Sequence, residues 1–203
     1  MTCIPNDYIP LHRIAQSLTV ALGERDPYTR AHSERVVQLS AELGSHLDFT
    51  QDEIDLLALV AQFHDIGKIG IPDHVLHKPT PFDDGEWACM KQHAEIGERI
   101  ILAIGSEKST EVARMIRHHH ERFDGSGYPD GLSGTGIPLL SRIISLTDSY
   151  DAIAKIRPYH QARQHTAIMD ILDSEVGIKH DPDLLYAFSN VIEKSEMRVR
   201  DDS

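Results

Sequence analysis

The chain has 203 residues, which suits one large domain with an ample hydrophobic core. It has only two cysteines, no signal-peptide layout and no apolar run near the ~20 residues of a membrane span, so we expect a soluble cytoplasmic protein without membrane contact. The net charge of -12 argues against binding to nucleic acid polymers but leaves small anionic substrates open, and the 13 histidines first indicate a metal site.

The N-terminal part of the chain predicts two helices. Residues 1–11 hold two prolines and are predicted to be an irregular segment. Apolar residues then recur at helical spacing from Leu11 to Leu22. Pro27 follows a break in this pattern and suits the first position of a second helix.

A third helix is predicted to carry the first chemically informative residues. Thr50, with Glu53 three residues later, forms a capping box that opens this helix. The helix delivers His64 and Asp65 near its C-terminal end, and two glycines within the next five residues then end it.

The second half of the chain alternates helices with two loops. Residues 71–82 contain three prolines and are predicted to be a loop, and Asp83 or Asp84 can cap a helix that runs to about Gly105. Residues 124–138 contain five glycines and must form a long Gly/Pro-rich loop, which in compact domains is usually functional. The remaining helices are predicted near 107–121, 139–156, 160–176 and 182–198.

No alternating strand pattern occurs, so the predicted fold class is all-α. The predicted organisation is an irregular segment at 1–11, one domain over 12–198 and a tail at 199–203.

The adjacent pair His64-Asp65 is the strongest indication of chemistry. Neighbouring helical side chains point about 100° apart, so the two rarely serve one structural purpose. In a two-metal site the imidazole can hold one ion while the carboxylate bridges to a second. The pair follows an apolar run, and a buried unpaired carboxylate would be costly.

Five further residues are candidate ligands, although a single histidine is more often a core or surface residue. They are His32, His93, His119, His120 and Asp148. His118 competes with its neighbours and is assigned a supporting or exposed position, and Asp148 has an internal cap or ion pair as its alternative. The nitrogen and oxygen donors disfavour a zinc–thiolate site. They fit two divalent transition-metal ions, iron or manganese first, with nickel or zinc as alternatives.

Several spaced motifs carry a family resemblance: Arg25-Asp26-Pro27-Tyr28-Thr29 with His32, His64-Asp65-Ile66-Gly67-Lys68, Glu86-Trp87 with Met90-Lys91 and His93, His119-His120-Glu121-Arg122-Phe123-Asp124-Gly125, Gly127-Tyr128-Pro129 and Arg157-Pro158-Tyr159. In this order, over about residues 12–190, they resemble the HD-GYP family of the HD phosphohydrolase superfamily.

The resemblance implies an all-α HD-domain helical bundle that hydrolyses cyclic di-GMP to linear pGpG, and often to GMP, by a metal-activated hydroxide. It implies that one ion is held by His32, His64, Asp65 and Asp148, and the other by Asp65, His93, His119 and His120. Lys68 is similar to a family lysine near the scissile phosphate, and Asp151 and Arg157 to residues that contact substrate. Family members are thought to contact diguanylate cyclase (GGDEF) domains through the Gly-Tyr-Pro loop.

Residue chemistry gives these positions independent support and leaves alternatives. Lys68 lies four residues after His64, so a continued helix would place both on one face. Its cation could stabilise transition-state charge or protonate the leaving oxygen, or it could be a solvated lysine. Arg122 and Arg157 are candidate phosphate or guanine clamps, or surface ion pairs. Tyr128 either packs against a helix in a tight turn or lines a substrate wall or docking surface.

The chain departs from the family pattern mainly on the substrate side. Tyr28 replaces a carboxylate that resembles a ligand of a third metal, and this argues against a third ion. His160 replaces a basic residue, and Lys155-Ile156 a polar pair. The alternatives are therefore another cyclic dinucleotide such as cyclic GMP-AMP, or a metal-binding docking module with little turnover. A homodimer through the first helix is a further prediction.

Overall fold

A computed structural model describes residues 9–154 and 164–199. These residues form α-helices and two 3-10 segments, with no strand among them, which confirms the all-α prediction. The helices are α1 (Ile9–Arg25), α2 (Pro27–His46), α3 (Gln51–Phe63), α4 (Asp73–Leu76), α5 (Asp84–Lys91), α6 (His93–Ile104), α7 (Ser109–Arg117), α8 (Leu139–Ala154), α9 (His165–Ser174) and α10 (Pro182–Ile192). The 3-10 segments are Ile66–Gly70 and Gly134–Gly136.

Helix starts follow the predicted capping residues. The Thr50 side chain accepts a hydrogen bond from the backbone N–H of Glu53, whose carboxylate accepts one from the Thr50 N–H. Asp83 and Glu86 form the same reciprocal pair at the start of α5. Pro27 is the first residue of α2, as predicted.

Helix α1 begins at Ile9, whereas the irregular segment was predicted to extend to residue 11. Pro10 falls in the first turn of α1, where its missing N–H removes no helical hydrogen bond. Residues 1–8 lie outside the described residues.

The prediction that Lys68 continues the helix of His64 was wrong. Helix α3 ends at Phe63, His64 caps it, and Lys68 lies in the 3-10 segment Ile66–Gly70. A Cβ at Gly67 would lie 1.8 Å from the carbonyl oxygen of His93. The close approach of α6, which the sequence does not show, therefore shapes this turn.

Two further element predictions needed correction. The predicted loop 71–82 contains the short helix α4. The single helix predicted from Asp83 to Gly105 is two helices, which are separated at Gln92. The N–H of Gln92 donates to the carbonyl of Cys89 in a tightened last turn of α5.

The packing is organised around two helices, α2 and α6. Helix α2 packs on α1, α3, α8 and α10, and α6 packs on α7 and the Ile66–Gly70 segment. The core between them is closed by fully buried side chains such as Leu39, Leu57, Ile143 and Phe188. No helix in the described ranges combines the length and the apolar character needed to cross a bilayer.

Candidate metal centre

The structure brings six of the seven predicted ligands together in two adjacent groups. One group is His32, His64 and Asp148, and the other is His93, His119 and His120. Within each group the candidate ligand atoms lie within 4.8 Å of one another.

Asp65 lies between the two groups. Its Oδ2 is 3.4 Å from Nε2 of His64, and its Oδ1 is 3.6 Å from Nε2 of His93. One carboxylate thus presents an oxygen to each group, which is the geometry of a bridging ligand.

Most of these side chains are placed by helix ends. His64 caps α3, His93 begins α6, and His119 and His120 come just after the C-terminal cap of α7. A side chain at the end of a helix can face a neighbouring helix, so ligands that are distant in sequence can meet at one site.

Three of the histidines share one local hydrogen-bond pattern. In each, Nδ1 donates to the backbone carbonyl three residues earlier: His64 to Ala61 at 2.6 Å, His93 to Met90 at 2.7 Å and His119 to Ile116 at 2.6 Å. A carbonyl can only accept, so Nδ1 carries the proton and Nε2 is left as the donor atom for a metal.

The second group (His93, His119 and His120) has ring nitrogens placed to bind a cation. Nε2 of His93 lies 3.3 Å from Nε2 of His119 and 3.1 Å from Nε2 of His120. Because Nδ1 of both His93 and His119 holds the proton, neither neutral ring can donate across the first gap. Facing lone pairs at this distance are stabilised by a positive ion between them.

The charge state of this group agrees with that fit. Burial and the neighbouring His64 and His93 lower the pKa of His119 to about 3, and burial also lowers the pKa of His93 and of His120. The three rings are neutral at pH 7, which is the ligating form.

The first group carries more charge. Burial opposes protonation of His32, but its hydrogen bonds with Asp148 at 2.9 Å and Asp151 at 2.7 Å raise its pKa to about 9. Burial likewise opposes ionisation of Asp148, yet the hydrogen bond from His32 holds its pKa well below the usual range. A divalent ion would replace the proton on Nε2 of His32.

Asp151 stands behind the first group, on the Nδ1 side of His32. It is buried, and its two oxygens contact Nδ1 of His32 and the Arg35 guanidinium, with Arg35 Nε at 2.6 Å and Nη2 at 2.8 Å. These contacts favour a positioning role for Asp151 toward His32, and its contact with substrate stays a prediction. Arg35 was missed, although it lies one helical turn after His32.

Lys68 faces the bridging carboxylate. Its Nζ lies 2.6 Å from Asp65 Oδ2, and although burial opposes it, Asp65 raises the pKa of Lys68. No role was predicted for Arg25. Its guanidinium donates to the carbonyls of Lys68, Ile69 and Ile71 and so fixes the end of this segment.

The Gly-Tyr-Pro loop contacts the second group directly. The Tyr128 ring lies over His120, with centroids 4.9 Å apart and planes at 31°. A Cβ at Gly127 would lie 2.2 Å from the backbone nitrogen of Arg122, so this close crossing requires glycine. The Glu121 carboxylate accepts hydrogen bonds from the N–H groups of Asp130 and Leu132 and holds the loop in place.

The other candidate residues are placed as follows. His118 turns away and contacts Asp130 at 2.8 Å, in agreement with a supporting position. Arg122 is partly buried, and its Nε has no hydrogen-bond partner. Arg157 and His160 lie outside the described residues, as does the side chain of Tyr28.

Comparisons with known proteins point to one family. Residues 17–184 match the family model described as HD domain. The chain is 38% identical over 166 residues to a cyclic di-GMP phosphodiesterase response regulator of Xanthomonas campestris, covering 81% of this chain and 44% of that protein. It is 32% identical over 189 residues to a 3′3′-cGAMP-specific phosphodiesterase of Vibrio cholerae, covering 93% and 41%.

The fold is also similar to a solved structure. An HDG"Y"P protein from Bdellovibrio bacteriovorus superposes with a TM-score of 0.66 at 22% identity, over 88% of this chain and 57% of that one. The chain spans less than half the length of the two curated relatives described above.

Proposed function

The chain belongs to the HD domain family, as the HD-GYP resemblance of its motifs predicted, and on this premise we propose that it is a metal-dependent phosphodiesterase of cyclic di-GMP. The products are linear pGpG and, after a second cleavage, GMP. The two divalent ions are iron or manganese.

One observation carries the proposal. The carboxylate of Asp65 presents one oxygen to each of two histidine groups, in which His64, His93 and His119 keep Nε2 free as the donor atom for a metal. When bound there, two divalent ions would supply Lewis acidity and lower the pKa of water to near neutrality.

The chain's own residues perform the remaining tasks. The ammonium of Lys68 lies beside the bridging carboxylate, where it can hold a phosphate oxygen and stabilise charge that develops on phosphorus. Asp151 and Arg35 fix the orientation of His32. Tyr128 covers His120 and limits the access of bulk water to that side.

A second substrate is favoured by a specific observation. A relative named as 3′3′-cGAMP-specific matches 93% of this chain. Cyclic GMP-AMP is therefore the alternative substrate, reached by the same chemistry. Docking of a GGDEF domain at the Gly-Tyr-Pro loop and homodimerisation stay predictions, as does the docking module with little turnover.

The test uses protein freed of metal and reloaded with iron(II) or manganese(II), with metal content measured. Cyclic di-GMP, cyclic GMP-AMP and cyclic di-AMP are supplied in parallel, and nucleotides are separated by chromatography. We expect the loaded protein to form linear product from cyclic di-GMP. Asp65→Asn should abolish this activity, and the surface control Asp170→Asn should keep it. A fully loaded protein that cleaves none of the three would refute the proposal.

A further inference from the structure

A row of aromatic rings leads from the metal centre to the protein surface. Tyr128 lies on His120, Trp87 meets Tyr128 edge to face with centroids 6.3 Å apart, and Phe82 lies nearly parallel to Trp87 at 6.2 Å and 25°. Trp87 is 47% exposed and is the only tryptophan of the chain. A large apolar side chain is thus kept on the surface two ring contacts away from a candidate metal ligand.

The position of this indole suits a ligand with a flat π-face. Phe82 and Tyr128 hold the ring from two sides, so little side-chain freedom remains to be lost when a ligand binds. Exposed aromatic rings beside a phosphate-binding centre are a common means of stacking nucleic acid bases. The two ring contacts connect the exposed Trp87 face to His120 of the second metal group.

A cation lies beside the same rings. Lys91 follows Trp87 by one helical turn on α5, and its Nζ lies 5.8 Å from the Tyr128 ring centroid. An ammonium offers three donors and no acceptor. Guanine presents two adjacent acceptors, O6 and N7, on one edge, whereas adenine presents N7 beside an amino donor. The cation therefore favours guanine over adenine.

Resting on the proposed function, we propose that Trp87 and Lys91 form the subsite for one guanine base of the cyclic dinucleotide. The base stacks on the Trp87 indole, and the Lys91 ammonium donates to its O6 and N7. Cyclic di-GMP and cyclic GMP-AMP both contain a guanine and fill the subsite, whereas cyclic di-AMP loses the Lys91 hydrogen bonds. The subsite thus selects against a substrate without guanine and accepts either of the other two.

The first experiment measures kinetics on the metal-loaded protein. Trp87→Ala is compared with Trp87→Phe, which keeps a ring, and with Tyr186→Ala, which removes an aromatic ring that is 75% exposed on α10. We expect Trp87→Ala to raise KM for cyclic di-GMP by about 5- to 100-fold, the range of base stacking on an aromatic side chain. Trp87→Phe should raise KM much less than Trp87→Ala does. Tyr186→Ala should have the KM of the unmodified protein.

A short diester separates a base effect from damage to the centre. Bis(p-nitrophenyl) phosphate carries neither a purine edge nor a ribose linker, so its cleavage reports mainly on the metal centre. The ratio of kcat/KM for cyclic di-GMP to kcat/KM for this diester should fall in Trp87→Ala. Equal losses on both substrates, or no loss on cyclic di-GMP, would overturn the subsite while leaving the proposed function in place.

The second experiment does not depend on turnover. Because Trp87 is the only tryptophan, its fluorescence reports on the subsite directly. A phosphorothioate analogue of cyclic di-GMP should quench the Trp87 emission as its concentration rises. The half-maximal concentration should equal that for inhibition of hydrolysis of the short diester. In protein without turnover, it should equal the dissociation constant measured by calorimetry. Binding without a change in emission would overturn the stacking.

The third experiment tests the choice of base. Lys91→Met keeps an unbranched side chain without the charge. It should lower the preference for cyclic di-GMP over cyclic di-AMP, measured as the ratio of KM values, by about 10-fold, the loss expected for one base-edge hydrogen-bond pair. An unchanged preference would overturn the role of Lys91.

Discussion

The carboxylate of Asp151 lies 2.7 Å from Nδ1 of His32, while Nε2 on the other side of the ring lies 2.9 Å from Asp148. The ring is therefore held by a carboxylate at each nitrogen. A metal bound at this group would replace the proton only at Nε2, so Asp151 would keep its hydrogen bond and hold the ring in the ligating orientation.

Asp151→Asn is expected to weaken the metal group that contains His32. The amide keeps the shape but loses the charge that stabilises His32 and pairs with Arg35. We expect affinity for one of two ions to fall by about 10- to 100-fold, the usual effect of such supporting carboxylates. Competition with a chelator, followed by elemental analysis, measures both ions. Equal retention of both ions in Asp151→Asn and in the control Asp170→Asn would contradict this.

The ligand set was predictable because its chemistry is local. Adjacent residues such as His64 and Asp65 rarely have another shared purpose, and the motifs around them are specific. The role of Asp151 was not predictable in this way. Its partner Arg35 is 116 positions away and reaches it only because α2 packs on α8.

Lys68→Met is expected to separate chemistry from metal binding. Nζ of Lys68 lies 2.6 Å from Asp65 Oδ2, so loss of the cation removes a competitor for that carboxylate. Metal content should be kept or rise, while kcat falls by about 10²- to 10³-fold, the usual effect of removing a group that stabilises transition-state charge. Steady-state kinetics at saturating metal provide the measurement. A kcat near that of the unmodified protein would show that Lys68 only pairs with Asp65 and takes no part in the reaction.

The segment that carries Lys68 shows why helix boundaries were the weakest predictions. The distance in sequence between His64 and Lys68 suits a continued helix, but the backbone of Gly67 is pressed against the carbonyl of His93. Tertiary contact replaces the last helical turn with a 3-10 segment. The direction of Lys68 is consequently set by its neighbours in space, Asp65 and Arg25, rather than by helical periodicity.

Arg25 is expected to act through Lys68. Its guanidinium donates to three carbonyls of the 66–71 stretch and pairs with Asp73 at 2.6 Å. Arg25→Gln should lower both kcat and the free energy of unfolding, the latter by about 1–3 kcal/mol for lost hydrogen bonds to buried groups. Arg25→Lys should not restore kcat, because an ammonium lacks the planar fork.

A double-mutant cycle distinguishes this role from simple loss of stability. In the Lys68→Met background, Arg25→Gln should cause no further loss of kcat, although it should still lower the free energy of unfolding. Additive losses of kcat would show that Arg25 supports the site by another route.

His180 is expected to make stability depend on pH. It is 2% exposed, and neither ring nitrogen has a hydrogen-bond partner. Burial, together with the charges of Lys179 and Arg122, lowers its pKa to about 3. The unfolded chain, with a pKa near 6.5, binds this proton more readily than the folded one, so stability is lost as the pH falls from about 6.5 toward 3.

His180→Phe removes this proton-binding site while keeping a ring of similar size. Between pH 8 and pH 5 the unmodified protein should lose about 2 kcal/mol more of its free energy of unfolding than the variant. At pH 8 the variant should be the more stable, because a buried unpaired polar group costs about 1–3 kcal/mol. Urea unfolding at both pH values measures the two effects. Parallel losses in the two proteins would mean that His180 finds a proton acceptor in the folded state, with the contact to Glu175 at 3.4 Å as the nearest source.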